Sequence, residues 1–260
     1  MAQTSPISSI STPVLRAIER ASHRTGVDFD YMLDQARIES GFRAHARAAT
    51  SSATGLYQFT TQTWLATLKR HGAAHGYGWA AEAIKSAGRG TYTVSDGSLR
   101  EAILGLRSDP DAAAVMAGEL ASDNHAHLAG TLGRAPEPVD LYLAHFLGAA
   151  GASDFLKAWA ANPDQVAAPL FAKAAAANRS IFFDATGGAR SLDEIRRSFA
   201  KKLDGNDATH RVMRSEALAS VALAYAPLTL RSIEPMPKSL SLDFAHDAYR
   251  KLAAMRGAGA

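Results

Sequence analysis

The sequence predicts a mainly α-helical protein. The 260 residues are rich in alanine, the strongest helix former, and 47% of them are hydrophobic. Valine, isoleucine, threonine and tyrosine do not gather in the alternating runs that half-buried strands show. Start and stop residues of helices recur along the chain. The length is sufficient for one large or two small domains with a sizeable core.

The N-terminal part begins with two helices. Thr12-Pro13 is typical of a helix start, and this first helix is expected to end near His23. Asp28 is a suitable N-cap for the second helix, which is expected to end near Gly41. Glycine, serine and threonine then dominate, so residues 41–60 are expected to form a loop.

The middle of the chain continues the helical pattern. A third helix is expected from Thr61 or Thr63 to Arg70, where Gly72 follows. Residues 72–97 are rich in glycine and aromatic side chains, which predicts irregular structure with a short helix near 79–86.

The remaining elements follow from caps and breakers. Residues 98–133 are expected to form two or three helices, one starting at Asp109-Pro110 and another at Asp123. The next helix carries the letters VDLYLAHFLG and is expected to end at Gly148. Ser191, with a glutamate three residues later, has the pattern of a capping box.

Charge and composition exclude several classes of protein. The net charge of +3 and the lack of an arginine-rich arm give little support to nucleic-acid binding. The absence of cysteine excludes disulfides and thiolate metal sites. No apolar run approaches the roughly 18 residues of a transmembrane helix. The N-terminus does not have the charged and apolar regions of a secretory signal, which leaves the export route of an extracytoplasmic protein open.

No metal site or other cofactor is expected from the histidines. His125 and His127 lie two residues apart, so on a helix they point in different directions. His71 and His75 have a spacing that suits zinc on a helix, but glycines surround them. A flexible groove wall is the interpretation that this stretch favours.

Glu39 is the candidate for chemistry. It lies near the end of the second helix, beside Ile38 and Phe42, and no further acidic residue follows until Glu82. Partial burial raises the pKa of a carboxyl, because it penalises the ionised form. A carboxyl of this kind can protonate a leaving oxygen near neutral pH, as general acids do in glycoside cleavage.

The residues around Glu39 resemble a known family. Glu-Ser-Gly-Phe at 39–42, Gly-Leu-Tyr-Gln-Phe at 55–59 and Thr63 are similar to the sequence motif of the soluble lytic transglycosylases. Residues 142–156 and 178–195 resemble a bacterial subgroup associated with flagella and secretion machines. The resemblance covers about residues 10–203. It implies a lysozyme-like domain there, followed by a partly helical or disordered C-terminal extension at 204–260.

The resemblance also implies roles for individual residues. Glu39 matches the catalytic acid/base of the family, whereas Tyr57 stands where methionine is usual. The spacing between Glu39 and Gly55 is one residue longer than the common pattern, so Thr50 and Ser51 are both candidates for the loop serine. Tyr142 and His145 are alternatives for a tyrosine that positions the substrate. The predicted substrate-binding residues are Ser40, Thr50, Ser51, Tyr57, Gln58, Phe59, Tyr142 and His145, with Tyr57 and Phe59 as a stacking wall.

The implied reaction is cleavage of peptidoglycan between N-acetylmuramic acid and N-acetylglucosamine, with formation of 1,6-anhydro ends. Hydrolysing glycosidases normally use two carboxylates, whereas in this family the sugar itself takes the part of the second. A water-using muramidase and a non-catalytic peptidoglycan-binding assembly protein remain alternatives. The expected location is the periplasm or cell wall. The expected partners are glycan strands and, through residues 204–260, flagellar or secretion-machine components; exo and endo cutting are not distinguished.

Overall fold

The computed structural model describes residues 10–204, of which 68% are helical, and the chain is therefore mainly α as predicted. Within residues 10–204, the β-sheet consists of one short two-stranded hairpin. The α-helices are α1 (Thr12–Thr25), α2 (Phe29–Ser40), α3 (Thr61–His71), α4 (Gly78–Ala83), α5 (Gly97–Gly105), α6 (Pro110–Leu132), α7 (Pro138–Ala161), α8 (Ala167–Leu170), α9 (Ala172–Ala177), α10 (Arg179–Phe182) and α11 (Leu192–Leu203). Short 3-10 turns cover Gly72–His75 and Leu106–Ser108.

The predicted helix starts are largely confirmed. The carboxylate of Asp28 accepts a hydrogen bond from the backbone N–H of Tyr31 at 2.9 Å and so caps α2. Asp109 caps α6 in the same way, through the N–H of Ala112. The capping box of α11 is also present, because Ser191 and its glutamate exchange side-chain bonds with backbone N–H groups.

Three expectations need correction. Asp123 does not start a helix, because α6 continues through it without interruption. Residues 85–93 are not irregular, since strands β1 (Lys85–Gly88) and β2 (Thr91–Thr93) pair antiparallel. These strands are short and largely exposed, so they do not show the alternation by which strands are recognised. Gly148 interrupts α7 with non-helical angles, but the helical segment resumes after it.

The described residues bury two clusters of apolar side chains. Helices α1 to α6 with the loop between α2 and α3 supply the first cluster, which includes Ile18, Met32, Trp64 and Met116. The end of α6 and helices α7 to α11 supply the second. Helix α2 touches both, because Met32 and Ala36 belong to the first cluster while Ile38 packs against the second. The C-terminal end of α2 therefore lies where the two clusters meet.

A buried ion-pair network fixes the start of α7. The Asp140 side chain is fully buried and accepts hydrogen bonds from Arg196 of α11 at 3.0 Å. Arg134 approaches the other carboxylate oxygen at 2.8 Å, and the backbone N–H of Glu137 also donates to it. A buried carboxylate is tolerated only when it is paired and hydrogen-bonded in this way. The network thus sets the position of α7 against α11.

The histidines of residues 71–79 do not form a flexible groove wall. His71 places one ring nitrogen 3.2 Å from Glu119 and the other 2.9 Å from Asp123, both on α6. His75 contacts Glu119 at 2.6 Å, and its side chain is 9% exposed. These polar contacts hold the end of α3 and the following turn against α6.

Two other expectations concern the whole chain. Among the residues that the structure describes, none of the helices is both long and apolar enough to cross a lipid bilayer. The C-terminal extension predicted at 204–260 lies, apart from its first residue, outside the described part of the chain.

Replacement of Gly148 by alanine should destabilise the protein by about 1–3 kcal/mol, because its φ of 76° and ψ of 159° fall in a region that is almost restricted to glycine. No neighbouring atom lies within 4 Å of the position of a Cβ there, so the loss would come from backbone strain alone. Gly130→Ala is the matched control. Gly130 lies inside α6 with equally open surroundings, and this change should stabilise by about 0.5–1 kcal/mol. Urea denaturation of both variants measures the difference; equal effects would contradict the assignment of strain to Gly148.

Candidate active site

Glu39 occupies the last turn of α2, at the meeting point of the two apolar clusters. Its side chain is 16% exposed, so the carboxylate is mostly enclosed but still reachable from solvent. The helix ends one residue later at Ser40. A carboxyl in this position can exchange a proton with a bound molecule while most of its surface is protected from water.

Helix α7 supplies the polar neighbours of Glu39. The Nε2 atom of His145 lies 3.2 Å from Oε1 of Glu39, and the hydroxyl of Tyr142 hydrogen-bonds to the same carboxylate. The two rings, three residues apart on the helix, stack with centroids 6.1 Å apart. The sequence left Tyr142 and His145 as alternatives, and the structure brings both of them to Glu39.

The phenol of Tyr142 is a stable hydrogen-bond donor. Burial raises the pKa of Tyr142 well above its usual range, and the negative charge of Glu39 and the hydrogen bond to it raise this pKa further. Tyr31 of α2, which the sequence analysis missed, behaves similarly: burial raises its pKa first, and Glu39 adds to the effect. Both hydroxyls therefore remain protonated over the whole physiological range.

Ser40 is a structural brace at the helix end. Its side chain is buried at 3% exposure, and its hydroxyl lies 2.8 Å from the carbonyl of Leu56 and 3.1 Å from that of Ala36. Leu56 belongs to the loop between α2 and α3, so this hydroxyl ties the loop to the turn that carries Glu39. Direct binding of a substrate by Ser40, as predicted, is not favoured by this burial.

The loop from 41 to 60 is itself packed against a residue that sequence patterns did not reveal. The guanidinium of Arg107 donates to the carbonyls of Ser52 at 2.7 Å and Phe59 at 3.2 Å. Gly55 lies so close that a Cβ there would stand 1.8 Å from the backbone oxygen of Arg107, and its φ is 87°. The glycine of the Gly-Leu-Tyr-Gln motif is thus required by this close approach. Arg107 stands in an unremarkable helix-turn sequence, which carries no sign of this role.

Gln58, Thr50 and Ser51 have different surroundings within the loop. The amide nitrogen of Gln58 donates to the carbonyls of Ala46 at 3.2 Å and Gly55 at 2.9 Å, which directs its amide oxygen elsewhere. Gln58 is partly buried, with an unusual positive φ of 48°. Thr50 and Ser51 are exposed at the loop tip, and the hydroxyl of Ser51 accepts the N–H of Ala53. Of these three residues, Gln58 is the one most firmly positioned.

Tyr57 and Phe59 do not form the predicted stacking wall. Tyr57 is fully buried, and its hydroxyl donates to the carbonyl of Met32 at 3.1 Å. Phe59 is 2% exposed and packs edge-to-face against Trp64, with ring centroids 5.1 Å apart. Both rings are buried because apolar side chains in a well-packed loop gain more from burial than from contact with solvent.

A scan against models of known protein families finds no match for this chain. Within residues 10–204, no group of three or more histidine and acidic side chains is arranged to hold a metal ion. Function is therefore inferred from the geometry around Glu39 and from the motif residues named above.

The buried tyrosines predict a loss of stability in alkaline solution. Burial raises the pKa values of Tyr31, Tyr57 and Tyr142 above the ordinary value of about 10. The unfolded chain therefore releases these protons more readily than the folded protein. Their contribution to stability is complete below pH about 10 and is lost as the pH rises further.

Urea midpoints measured from pH 8 to 11.5 should fall steeply above pH about 10. Phenolate absorbance of these three residues should appear only as the chain unfolds. The single variant Tyr57→Phe removes one of the groups and should flatten the alkaline decline, although it lowers stability at neutral pH. Ionisation of all the tyrosines near their usual pKa in a still-folded protein would contradict the prediction.

Proposed function

We propose that this protein is a peptidoglycan lytic transglycosylase with a lysozyme-like fold, in which Glu39 is the general acid and base. The observation that carries the proposal is the contact of one mostly enclosed carboxylate with a phenol and an imidazole, next to the loop with the Gly-Leu-Tyr-Gln motif. The mainly helical architecture and the loop that Ser40 ties to the end of α2 support the same proposal.

The motif around Glu39 is the reason for proposing transglycosylation and not hydrolysis. A hydrolysing glycosidase normally places a second carboxylate near the first, to activate water or to attack the sugar. Among the described residues, Tyr142 and His145 are polar partners of Glu39. A reaction in which the substrate supplies its own nucleophile needs a single carboxyl group, and Glu39 is proposed to be that group.

The proposed reaction begins with proton transfer from Glu39 to the glycosidic oxygen between N-acetylmuramic acid and N-acetylglucosamine. The bond from C1 of the muramic acid to that oxygen breaks, and the 2-acetamido oxygen stabilises the positive centre at C1. Glu39, now ionised, takes the proton from the C6 hydroxyl as the C6 oxygen bonds to C1. Glu39 thereby regains the proton that it donated, no water is consumed, and the product has a 1,6-anhydro ring.

Tyr142 and His145 are proposed to act through Glu39. The phenol donates to the carboxylate and stabilises its ionised form after the first proton transfer, since hydrogen bonds to a charged form favour it. The imidazole, 3.2 Å from Oε1, fixes the direction of the carboxylate and offers a second polar partner. Both are positioning residues in this proposal.

Substrate contacts are assigned to the polar groups that the loop leaves available. The amide oxygen of Gln58 is proposed to accept a hydrogen bond from the acetamido group of the sugar, because its nitrogen is already occupied by loop carbonyls. Thr50 and Ser51, at the exposed tip, are proposed to contact the glycan beyond the cleavage point. Peptidoglycan as substrate places the protein in the periplasm or cell wall, with flagellar or secretion-machine components as proposed partners of residues 204–260.

The variant Glu39→Gln should abolish turnover of purified peptidoglycan while the protein still binds it. The amide has nearly the same shape as the carboxyl, but it cannot donate and recover the proton. Mass spectrometry of the released muropeptides measures the result. Wild-type protein should give products lighter by one water than hydrolysed muropeptides, and Glu39→Gln should give none.

Other product patterns would reject the proposal in different ways. Hydrated, reducible ends from wild type would identify a water-using muramidase. Release of the same anhydro products by Glu39→Gln would exclude Glu39 as the acid. Binding without products from either protein would instead support an assembly protein that recognises the glycan; thermal unfolding of Glu39→Gln checks that the fold is retained.

The variant Tyr142→Phe should lower kcat roughly tenfold or more with little change in KM, because the lost donor acts on Glu39 after substrate is bound. The pH profile of kcat/KM should also move to higher pH, since loss of the donor disfavours the ionised carboxylate.

His145→Gln, which keeps a hydrogen-bond donor, should retain more activity than the apolar His145→Leu.

Tyr92→Phe is the matched control for Tyr142→Phe. Tyr92 lies on the hairpin, and its described hydrogen bonds with Gln62 use only its backbone. This variant should keep both the wild-type kcat and the wild-type pH profile. A pH profile that is unchanged in Tyr142→Phe would show that the phenol has only a packing role.

A further inference from the structure

A cleft at the loop of residues 41–60 carries a concentration of positive charge. Arg47, Arg100 and Arg107 line a cavity of about 530 Å³ between the loop of residues 41–60 and helix α5. Glu101 is the single acidic residue of this lining. A second depression, which Arg43, His45 and Arg47 line in part, shares Arg47 with the first. We call the first cavity, defined by Arg47, Arg100 and Arg107, the arginine cleft.

The positive charge of the arginine cleft is not neutralised locally. Neither Arg47 nor Arg100 forms an ion pair with another residue of the described range, and both side chains are exposed. Burial lowers the pKa of the Arg107 guanidinium, and the charges of Arg47 and Arg100 lower it further. Arg107 itself is occupied with loop carbonyls. The two exposed guanidinium groups are therefore free to bind an anion.

The arginine cleft is connected to Glu39 through short hydrogen-bonded steps. The carbonyl of Ala46, the residue before Arg47, accepts a hydrogen bond from the backbone N–H of Gly55 at 2.8 Å. The carbonyl of Leu56, the residue after Gly55, accepts a hydrogen bond from the hydroxyl of Ser40. The guanidinium of Arg43 also donates to the carbonyl of Ser40 at 2.9 Å. The same loop thus positions both the end of α2 and the exposed arginine at the cleft.

We propose that Arg47 and Arg100 bind carboxylates of the peptide stem that branches from the glycan next to the cleavage point. This inference rests on the proposed function, because it names a second part of the same substrate. The glycan backbone of peptidoglycan offers hydroxyl and acetamido groups, whereas its peptide stems carry free carboxylates. Guanidinium groups recognise carboxylates through paired N–H donors, a geometry that neutral sugar groups do not match.

A stem of five residues spans at most roughly 17 Å when extended, so its carboxylates can bind at some distance from the cleavage point. Contact at both places at once would select strands that carry stems. It would also hold the sugar next to Glu39 in one register.

A binding experiment with the full chain tests the proposal. All proteins carry Glu39→Gln so that turnover does not interfere, and they are sedimented with insoluble peptidoglycan. One batch is native, and in the other the stem carboxylates are converted to neutral amides with carbodiimide and ammonium. Amidation should weaken binding about tenfold, because it removes the charge but leaves the shape of the stem unchanged.

The double variant Arg47→Gln/Arg100→Gln should bind native peptidoglycan about tenfold more weakly, and amidation should then have little further effect. The control Arg16→Gln/Arg197→Gln removes the same charge from helices α1 and α11. This control should keep both the affinity and the sensitivity to amidation. Thermal unfolding of every variant confirms that the fold is intact.

Three results would overturn the proposal: unchanged binding of the Arg47→Gln/Arg100→Gln variant, an equal loss in the control variant, or binding that amidation does not weaken. The first would show that the arginines do not touch the stem, and the second would show an effect of net charge only. A failure of the proposed function would give a different result, namely no anhydro products from the wild-type protein. That result does not depend on the binding comparison. If wild type forms anhydro products but amidation does not weaken binding, the proposed activity is supported and the stem contact is rejected.

Discussion

The burial of Asp140 is the constraint on which the candidate site depends. Its carboxylate is fully enclosed, so it is stable only with Arg134 and Arg196 in place, and these contacts fix the first turn of α7. Tyr142 and His145 follow within the next turn and a half of the same helix. Because a helix is stiff over this length, the placement of Asp140 determines whether these two side chains reach Glu39.

Glu39 receives its enclosure and its hydrogen-bond partners from different parts of the protein. Helix α2 is anchored by Met32 and Ala36 in the first apolar cluster, whereas the phenol and the imidazole belong to the helix that organises the second. The site therefore forms only when both clusters are packed. A change that loosens α7 would expose the carboxylate and remove its donors in a single step.

Local sequence rules predicted the elements whose ends are set by neighbouring residues. Asp28 and the Ser191 capping box are examples, because a cap requires only a side chain and an N–H two or three residues away. The position of Glu39 at a helix end was predicted for the same reason. The contacts of Arg107 and the burial of Tyr57 were not, since they depend on partners about fifty and twenty-five residues distant.

The loop next to Glu39 shows why motif residues need not contact a substrate. Three motif residues make contacts inside the protein. The hydroxyl of Ser40 braces the loop, Gly55 allows a close backbone approach, and Tyr57 is a core side chain. A rigid loop of this kind holds the few outward groups in place, and rigid presentation of polar groups reduces the entropy lost on binding. The amide oxygen of Gln58 and the guanidinium of Arg47 are the proposed binding groups that would gain from this arrangement. Under the proposed function, substrate selection would then reside in residues whose neighbours are fixed, and the inward-facing part of the loop would act through geometry alone.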